Sequence, residues 1–157
     1  MRFSTLTTTA LASASLASAR LVGISAPTTL APNTTFDLTL ISEGYIQTVA
    51  DIAVAWGFQL APGYTGALGS FPGSAYLGPE KSNQGQENVT ITATVPPGLD
   101  SESWRGKDVV LTAGIYSLYG ASGGPVVGGF NVTVRIGNVT SNQTVSSDGW
   151  AFNNNGV

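Results

Sequence analysis

The sequence predicts an all-β protein, an immunoglobulin-like antiparallel β-sandwich of about seven strands without disulfides. Apolar side chains recur at every second position in several short segments, whereas the 3.6-residue period of an amphipathic helix is almost absent. Clusters rich in Gly and Pro separate these segments, as turns between strands require. Because the chain contains no cysteine, apolar burial and the hydrogen bonds of the sheets must hold the fold together.

Four segments alternate most clearly and predict strands that turn one face to the core and the other to water. In each of them, large apolar residues alternate with Thr, Asp, Asn, Arg or small residues. These segments are residues 36–40, 52–58, 89–95 and 130–136.

Less regular segments complete the predicted strand order. Residues 20–25 form a first strand, and residues 109–118 are apolar on both faces, which predicts a strand in the centre of a sheet. A further piece begins at residues 45–47. The link 59–87 is too long for a hairpin loop, so we expect a short strand near 74–77 within it.

The N-terminal segment has the features of a secretory leader. Met1-Arg2 supplies a positive charge, and residues 3–19 carry none. The segment ends in Ala17-Ser18-Ala19, a pattern of small residues typical of leader cleavage. A second such pattern, Ala12-Ser13-Ala14, has a much shorter apolar region before it. We therefore predict cleavage after Ala19.

This cleavage divides the chain into three parts. The leader is residues 1–19, and the sandwich domain is residues 20–140. Residues 141–157 form a Ser/Asn-rich tail without periodicity, which we expect to be flexible. Within the domain, residues 100–104 predict a single helical turn after two prolines.

The predicted leader would send the chain past the glycosylation machinery, where Asn-x-Ser/Thr triplets, called sequons, are the acceptor sites of N-linked glycans. Strands rich in Thr produce such triplets by chance, so we expect some of them to carry no glycan. Each occupied Asn must face solvent. The triplets begin at Asn33, Asn88, Asn131, Asn138 and Asn142.

The charge balance excludes several classes of partner. The chain has 6 basic and 9 acidic side chains and a formal net charge of −3, with no polybasic run. Nucleic acids and anionic membrane surfaces both select basic proteins. We expect no nucleic-acid binding, no membrane insertion and a monomeric protein.

The absence of histidine and cysteine excludes further chemistry. A Ser-His-Asp triad, a cysteine nucleophile, and zinc or copper sites built on these residues are all impossible. We expect no cofactor, no metal site and no catalytic residue. Pairs of carboxylates could still hydrolyse glycosides, although a solvated acidic turn is the interpretation we favour. These pairs are Asp100/Glu102 beside Trp104, Glu80/Glu87 and Glu43/Asp51.

The aromatic residues in or near predicted loops and strand ends favour a binding surface, because exposed Tyr and Trp are common anchors of recognition. The apolar segment 109–118 runs into two tyrosines and a glycine-rich loop, with another tyrosine in the turn near residue 45. Structural tyrosines on a central strand are the alternative interpretation. The predicted contact residues are Glu43, Tyr45, Tyr116, Leu118, Tyr119 and Gly120.

Particular strings resemble the necrosis-inducing secreted protein family of fungal effectors. They are VGISAPTTLAPNTTFDLTL, SEGYIQTVADIAVAWG, SAYLGP and LTAGIYSLYGASGG, followed by FNVTVRIGNVTSNQT, and together they cover residues 21–142. The resemblance implies an extracellular virulence protein that binds receptor-associated kinases of the plant host and suppresses pattern-triggered immunity. Some members provoke cell death. Because such kinase domains face the cytosol, the implied partner requires entry into the host cell.

Two other functions remain open at this point. The first is a cell-wall module that binds polysaccharide through Trp104 and the loop tyrosines. The second is a glycoside hydrolase that uses Asp100 and Glu102.

Overall fold

The structure is a computed structural model that describes residues 18–153, in which two β-sheets pack face to face. Most of the predicted leader (1–17) and the last residues of the tail (154–157) lie outside the described residues. The strands are β1 (Ser18–Pro27), β2 (Thr29–Leu30), β3 (Thr35–Tyr45), β4 (Val49–Leu60), β5 (Ser70–Tyr76), β6 (Val89–Thr94), β7 (Asp108–Tyr119), β8 (Gly124–Ile136), β9 (Thr144–Ser146) and β10 (Phe152–Asn153).

The strand order confirms the predicted sandwich. The small sheet has the order β6-β3-β1-β9, and the large sheet has the order β10-β8-β7-β4-β5. The long strands therefore divide as β1, β3 and β6 against β4, β5, β7 and β8, an immunoglobulin-like arrangement. The short strand β2 departs from the antiparallel pattern, because it pairs with β8 in parallel.

The facing sides of the two sheets form the core. Leu38 and Leu40 of β3 meet Phe58 of β4, Leu111 of β7 and Phe130 of β8 in one cluster, and all of these side chains are fully buried. Burial of each such side chain stabilises the fold by roughly 1.5–3 kcal/mol. The alternation seen in the sequence thus supplies the cohesion that disulfides give many small secreted domains.

The central position predicted for residues 109–118 is confirmed. Strand β7 lies between β4 and β8, and even its outer face is partly covered, since Val110 and Thr112 are buried. Part of this cover is the loop after β4, whose Gly63 lies against Val110. Gln59 holds this loop in place. The side-chain amide of Gln59 donates to the Ala67 carbonyl at 2.6 Å and its oxygen accepts from the Tyr64 N–H at 2.8 Å.

Three predicted elements differ in extent from the structure. Residues 45–47 do not begin a separate strand, because β3 stays paired with β1 as far as Tyr45. The short strand expected near 74–77 is the longer edge strand β5, which tolerates Pro72 at the sheet edge and is followed by helix α1 (Gly78–Lys81). The helical turn predicted at 100–104 lies earlier, as a 3-10 turn over Pro97–Asp100 that begins at a proline.

The first part of the tail joins the edges of both sheets. Strand β9 pairs with β1 and strand β10 pairs with β8, so the chain crosses the open side of the sandwich between them. Trp150 stacks on Phe130 with ring centroids 4.3 Å apart. Gly128 and Gly129 leave room for Trp150 and Phe152, because a Cβ at either glycine would collide with these rings. The flexibility of the tail stays a prediction, but these contacts give its described part a structural role.

Replacing Trp150 tests that role. We expect Trp150→Ala to lower the free energy of unfolding by about 1–3 kcal/mol, because it removes a stacked aromatic pair and opens the side of the core. Urea unfolding followed by circular dichroism measures the change. Tyr64→Ala is the control, since Tyr64 is 83% exposed and should change stability by less than about 0.5 kcal/mol. Equal stability of the Trp150 variant and the unmodified protein would refute the role.

Candidate interaction surface

The structure divides the predicted contact residues between the outer face of the large sheet and one end of the sandwich, where β3 of the small sheet meets β7. Side chains along a strand alternate between its faces, so Tyr116 and Leu118 point outward whereas Tyr119 points toward the small sheet. Gly120 begins the turn after β7 and donates its N–H to the Thr48 carbonyl at 2.8 Å. The residues predicted as one surface therefore lie in two neighbouring groups.

The first group, the end cluster, consists of Arg20, Glu43, Tyr45 and Tyr119. The Arg20 guanidinium lies 4.6 Å from the Tyr45 ring centre and pairs with the Glu43 carboxylate at 2.6 Å. Tyr45 meets Tyr119 edge to face, with centroids 5.9 Å apart. Burial raises the pKa of the Tyr119 phenol, and the nearby Asp51 charge raises it further. Because its charges and rings contact one another, this cluster mainly joins β1, β3 and β7 at one end of the sandwich.

The second group is a row of side chains across the outer face of the large sheet, here called the tyrosine row. Its members are in direct register, from Tyr76 on β5 to Ala53 on β4, Tyr116 on β7 and Val127 on β8. Tyr76 is 70% exposed, Tyr116 40% and Val127 37%. Ala53 is small, so the two tyrosines flank a shallow apolar floor.

A second row extends this apolar face toward the end of the sheet. Leu118 on β7 pairs with Ala50 on β4 and Pro125 on β8, one step of two residues beyond the tyrosine row. Leu118 and Ala50 are half-buried, and Pro125 is exposed. None of the side chains in the two rows carries a charge, which is the composition found at the centre of protein–protein interfaces.

A bulge in β4 determines which side chains reach this face. The register with β7 shifts between Asp51 and Ala53, so that Asp51 turns into the protein and Ala53 turns outward. Without the extra residue, these two positions would share a face. The sequence pattern alone did not reveal this shift, and it also left Tyr76 outside the predicted contact residues, because the register of β5 cannot be read from its Gly/Pro-rich sequence.

Asp51 is buried at the base of this region and has specific partners. Its carboxylate accepts from the Ser117 hydroxyl at 2.6 Å, and its N–H donates to the Ser82 hydroxyl at 2.6 Å. Burial raises the pKa of the Asp51 carboxyl, and the hydrogen bond from Ser117 partly opposes this rise. Beside it lies a hollow of about 440 Å³ between β4 and the segment after β5, with Tyr76 on its rim.

The five sequons are exposed, and most lie away from the tyrosine row. Three of them lie beyond the far ends of β2 and β8, where Thr140 bonds to the Ala31 N–H and the Thr34 hydroxyl. Asn131 is on the outer face of β8, about 13 Å along the strand from Val127. Asn88 precedes the edge strand of the small sheet. The exposed sequon residues are Asn33, Asn88, Asn131, Asn138 and Asn142.

The region around Trp104 has a different character. Trp104 is half-buried, packs edge to face on Phe71 at 5.6 Å and lines a hollow of about 610 Å³ together with the exposed Tyr64. Asp100 forms an exposed ion pair with Arg105 at 2.9 Å. Neither Asp100 nor Glu102 lines this hollow, so the structure does not bring the acidic pair to the aromatic residues.

Residues 18–153 contain neither a metal-binding cluster nor a membrane-spanning helix. No group of three or more acidic, His or Cys side chains in this range could hold a metal ion. None of the helices in the same range has the length and apolar character needed to cross a bilayer.

Fold and surface together define a small immunoglobulin-like sandwich protein with an exposed, uncharged face on its large sheet. Comparison with known proteins makes the assignment specific, since the sequence model of the Nis1 family matches residues 17–135. The chain belongs to the Nis1 family, and the resemblance seen in the sequence is confirmed.

Two relatives are named necrosis-inducing secreted protein 1. The protein from Colletotrichum orbiculare is 43% identical over 156 residues, which cover 99% of this chain and 93% of the relative. The protein from Colletotrichum higginsianum is 46% identical over 133 residues, covering 84% and 88%. Because these relatives are secreted, the predicted extracellular location is confirmed.

The chain also has a distant likeness to a solved structure. Superoxide reductase (neelaredoxin) from Ignicoccus hospitalis aligns with a TM-score of 0.41 and 13% identity, covering 75% of this chain and 81% of its own. A likeness at this level carries no argument about function.

The buried Asp51 predicts a specific pH dependence of stability. A carboxyl whose pKa is raised by folding binds its proton more tightly in the native state, so its contribution is favourable below the unfolded pKa and is lost as the pH rises through the folded pKa. Asp51→Asn mimics the protonated acid. We expect it to stabilise the protein at pH 7 by roughly 1.4 kcal/mol for each unit of the pKa rise, and to have little effect near pH 4.

Chemical unfolding from about pH 4, near the ordinary pKa of an Asp carboxyl, up to about pH 8 measures this difference. Asp37→Asn serves as the matched control, because Asp37 is exposed on β3. If Asp51→Asn is the less stable protein at neutral pH, the burial of an unfavourable charge at this site is disproved.

Proposed function

We propose that this secreted protein is a fungal effector that binds receptor-associated protein kinases of a plant host and lowers their activity. Through this contact it suppresses pattern-triggered immunity, and it induces cell death in host tissue. Membership of the Nis1 family and the necrosis-inducing relatives support the class of function. The kinase partner follows from the family resemblance.

The exposed tyrosine row is the observation that carries the proposal. Two tyrosines in register across a sheet, next to apolar and uncharged neighbours, supply rigid contact area with a polar tip on each ring. The chain contains neither imidazole nor thiol, so inhibition by contact suits its side chains better than chemical modification of a partner.

The end cluster holds the strand ends next to this surface in position. Tyr119 follows Leu118 directly in the chain and packs on Tyr45, and Arg20 joins Tyr45 to Glu43. We assign these residues to positioning of the strand ends, and we assign the direct contact to Tyr76, Tyr116 and Leu118. Because a kinase domain faces the cytosol, the proposal includes transfer of the protein into the host cell.

Removing the two tyrosines tests the proposed contact. We expect Tyr76→Ala/Tyr116→Ala to weaken binding to a purified receptor-associated kinase domain at least about tenfold, because central aromatic anchors each contribute on the order of 1–2 kcal/mol or more. Calorimetry or surface plasmon resonance measures the affinity, and circular dichroism verifies the fold.

Tyr64→Ala is the matched control for this experiment. Tyr64 is more exposed than either tyrosine of the row, but it lies on the loop that follows β4. Its replacement should leave kinase binding unchanged. Unaltered affinity of a folded double variant would show that the tyrosine row is not the contact surface.

A cell-wall polysaccharide module is the second candidate, and the hollow beside Trp104 favours it. Trp104 and Tyr64 both line this hollow, where aromatic rings could stack on sugars. If this function holds, the protein sediments with chitin, β-glucan or cellulose, and Trp104→Ala abolishes retention while Tyr116→Ala has no effect. A protein that stays in the supernatant with all three polymers excludes this candidate.

A further inference from the structure

The start of β1 contains residues that a leader cleaved after Ala19 would carry away. Ser18 is in register with Tyr45 and Ala19 with Gly44, so both residues belong to the ladder between β1 and β3. Ala19 is 1% exposed. Its N–H donates a hydrogen bond of 2.7 Å to the side-chain oxygen of Asn83. These contacts are those of a strand inside a folded domain.

Besides the pattern Ala12-Ser13-Ala14, the sequence offers two cleavage positions that lie only two residues apart. A leader protease requires small residues at the first and third positions before the cut. Ala17-Ser18-Ala19 meets this requirement for a cut after Ala19, and Ser15-Leu16-Ala17 meets it for a cut after Ala17. Residue type therefore does not distinguish them, but the fold does.

The two cuts have different consequences for the folded domain. A cut after Ala19 removes a buried methyl group and leaves the Asn83 side-chain oxygen without its donor. It also creates a new ammonium group on Arg20, directly at the ladder. A cut after Ala17 keeps every one of these contacts, and the new ammonium group lies on the half-exposed Ser18.

We propose that the leader is removed between Ala17 and Ser18. Water hydrolyses this peptide bond, leaving a carboxylate on Ala17 of the leader and an α-amino group on Ser18 of the mature protein. The match to the Nis1 family begins at residue 17, immediately before this bond. The inference rests on secretion through the leader and is independent of kinase binding.

The retained residues also affect the proposed contact face. Asn83 has a left-handed backbone, with φ of 55°, and lines the hollow beside Tyr76. Its bond to Ala19 ties this wall of the hollow to the N-terminal strand. Loss of Ser18 and Ala19 would therefore release a segment that lies next to the tyrosine row.

N-terminal sequencing of the full chain secreted from yeast tests the proposal. The expected start is Ser-Ala-Arg-Leu. A start at Arg20, at any other residue, or at the retained Met1 overturns it. Ser15→Leu, which places a large residue three positions before the proposed cut only, should abolish the Ser18 start, whereas Ser13→Leu is the control and should preserve it. Retention of the Ser18 start in Ser15→Leu overturns the assignment.

A separate experiment tests whether Ser18 and Ala19 stabilise the folded domain. It compares two mature proteins, one beginning at Ser18 and one at Arg20. We expect the shorter protein to have the lower melting temperature. Asn83→Ala should lower the melting temperature of the longer protein clearly and that of the shorter protein little, because the shorter one has already lost the bond. Equal melting temperatures of the two proteins, or an equal effect of Asn83→Ala in both, overturns the reasoning.

Discussion

The pairing of β4 with β7 is the interaction on which the rest of the structure depends. These two long strands form the centre of the large sheet, and their inner residues supply Phe58 and Leu111 to the core. Their outer residues supply Ala53 and Tyr116 to the exposed face. The register shift beside Asp51 determines which side chains of β4 face the core and which face solvent. One extra residue in a strand reverses the direction of every later side chain. The same two strands therefore support the stability of the domain and its surface.

A secreted domain of this size without cysteine needs another way to close its edges. Here the C-terminal segment covers them. After β8, the chain pairs first with β1 through β9 and then returns to pair with β8 through β10. Trp150 and Phe152 pack at two consecutive glycines of β8, one on each side of the strand. Glycines in a strand thus leave the space in which aromatic side chains from the C-terminal segment pack. This closure explains why the fold requires more than the seven strands of a simple sandwich.

Much of the fold could be predicted from the sequence, because alternation reports directly on which strand face is buried. The strands around Phe36, Val89 and Phe130 and the central position of β7 followed from this pattern alone. Register did not, since it depends on partners far away in the chain. For this reason the sequence predicted only part of the exposed face. Tyr116 and Leu118 were expected there, whereas Tyr76 joins them through its pairing with β4, which no local sequence pattern encodes. The tail strands escaped prediction for the same reason, as β9 and β10 contain few residues and take their shape from their partners.

Radical footprinting of the unmodified protein, alone and with a receptor-associated kinase domain, shows whether the tyrosine row is the contact surface. Hydroxyl radicals oxidise exposed tyrosine side chains, and Tyr76, Tyr116 and Tyr64 are all exposed. We expect oxidation of Tyr76 and Tyr116 to fall when the kinase domain is added, while oxidation of Tyr64 stays the same. Protection of Tyr64 with no change at Tyr76 and Tyr116 would contradict this expectation and would place the contact at the Trp104 hollow instead.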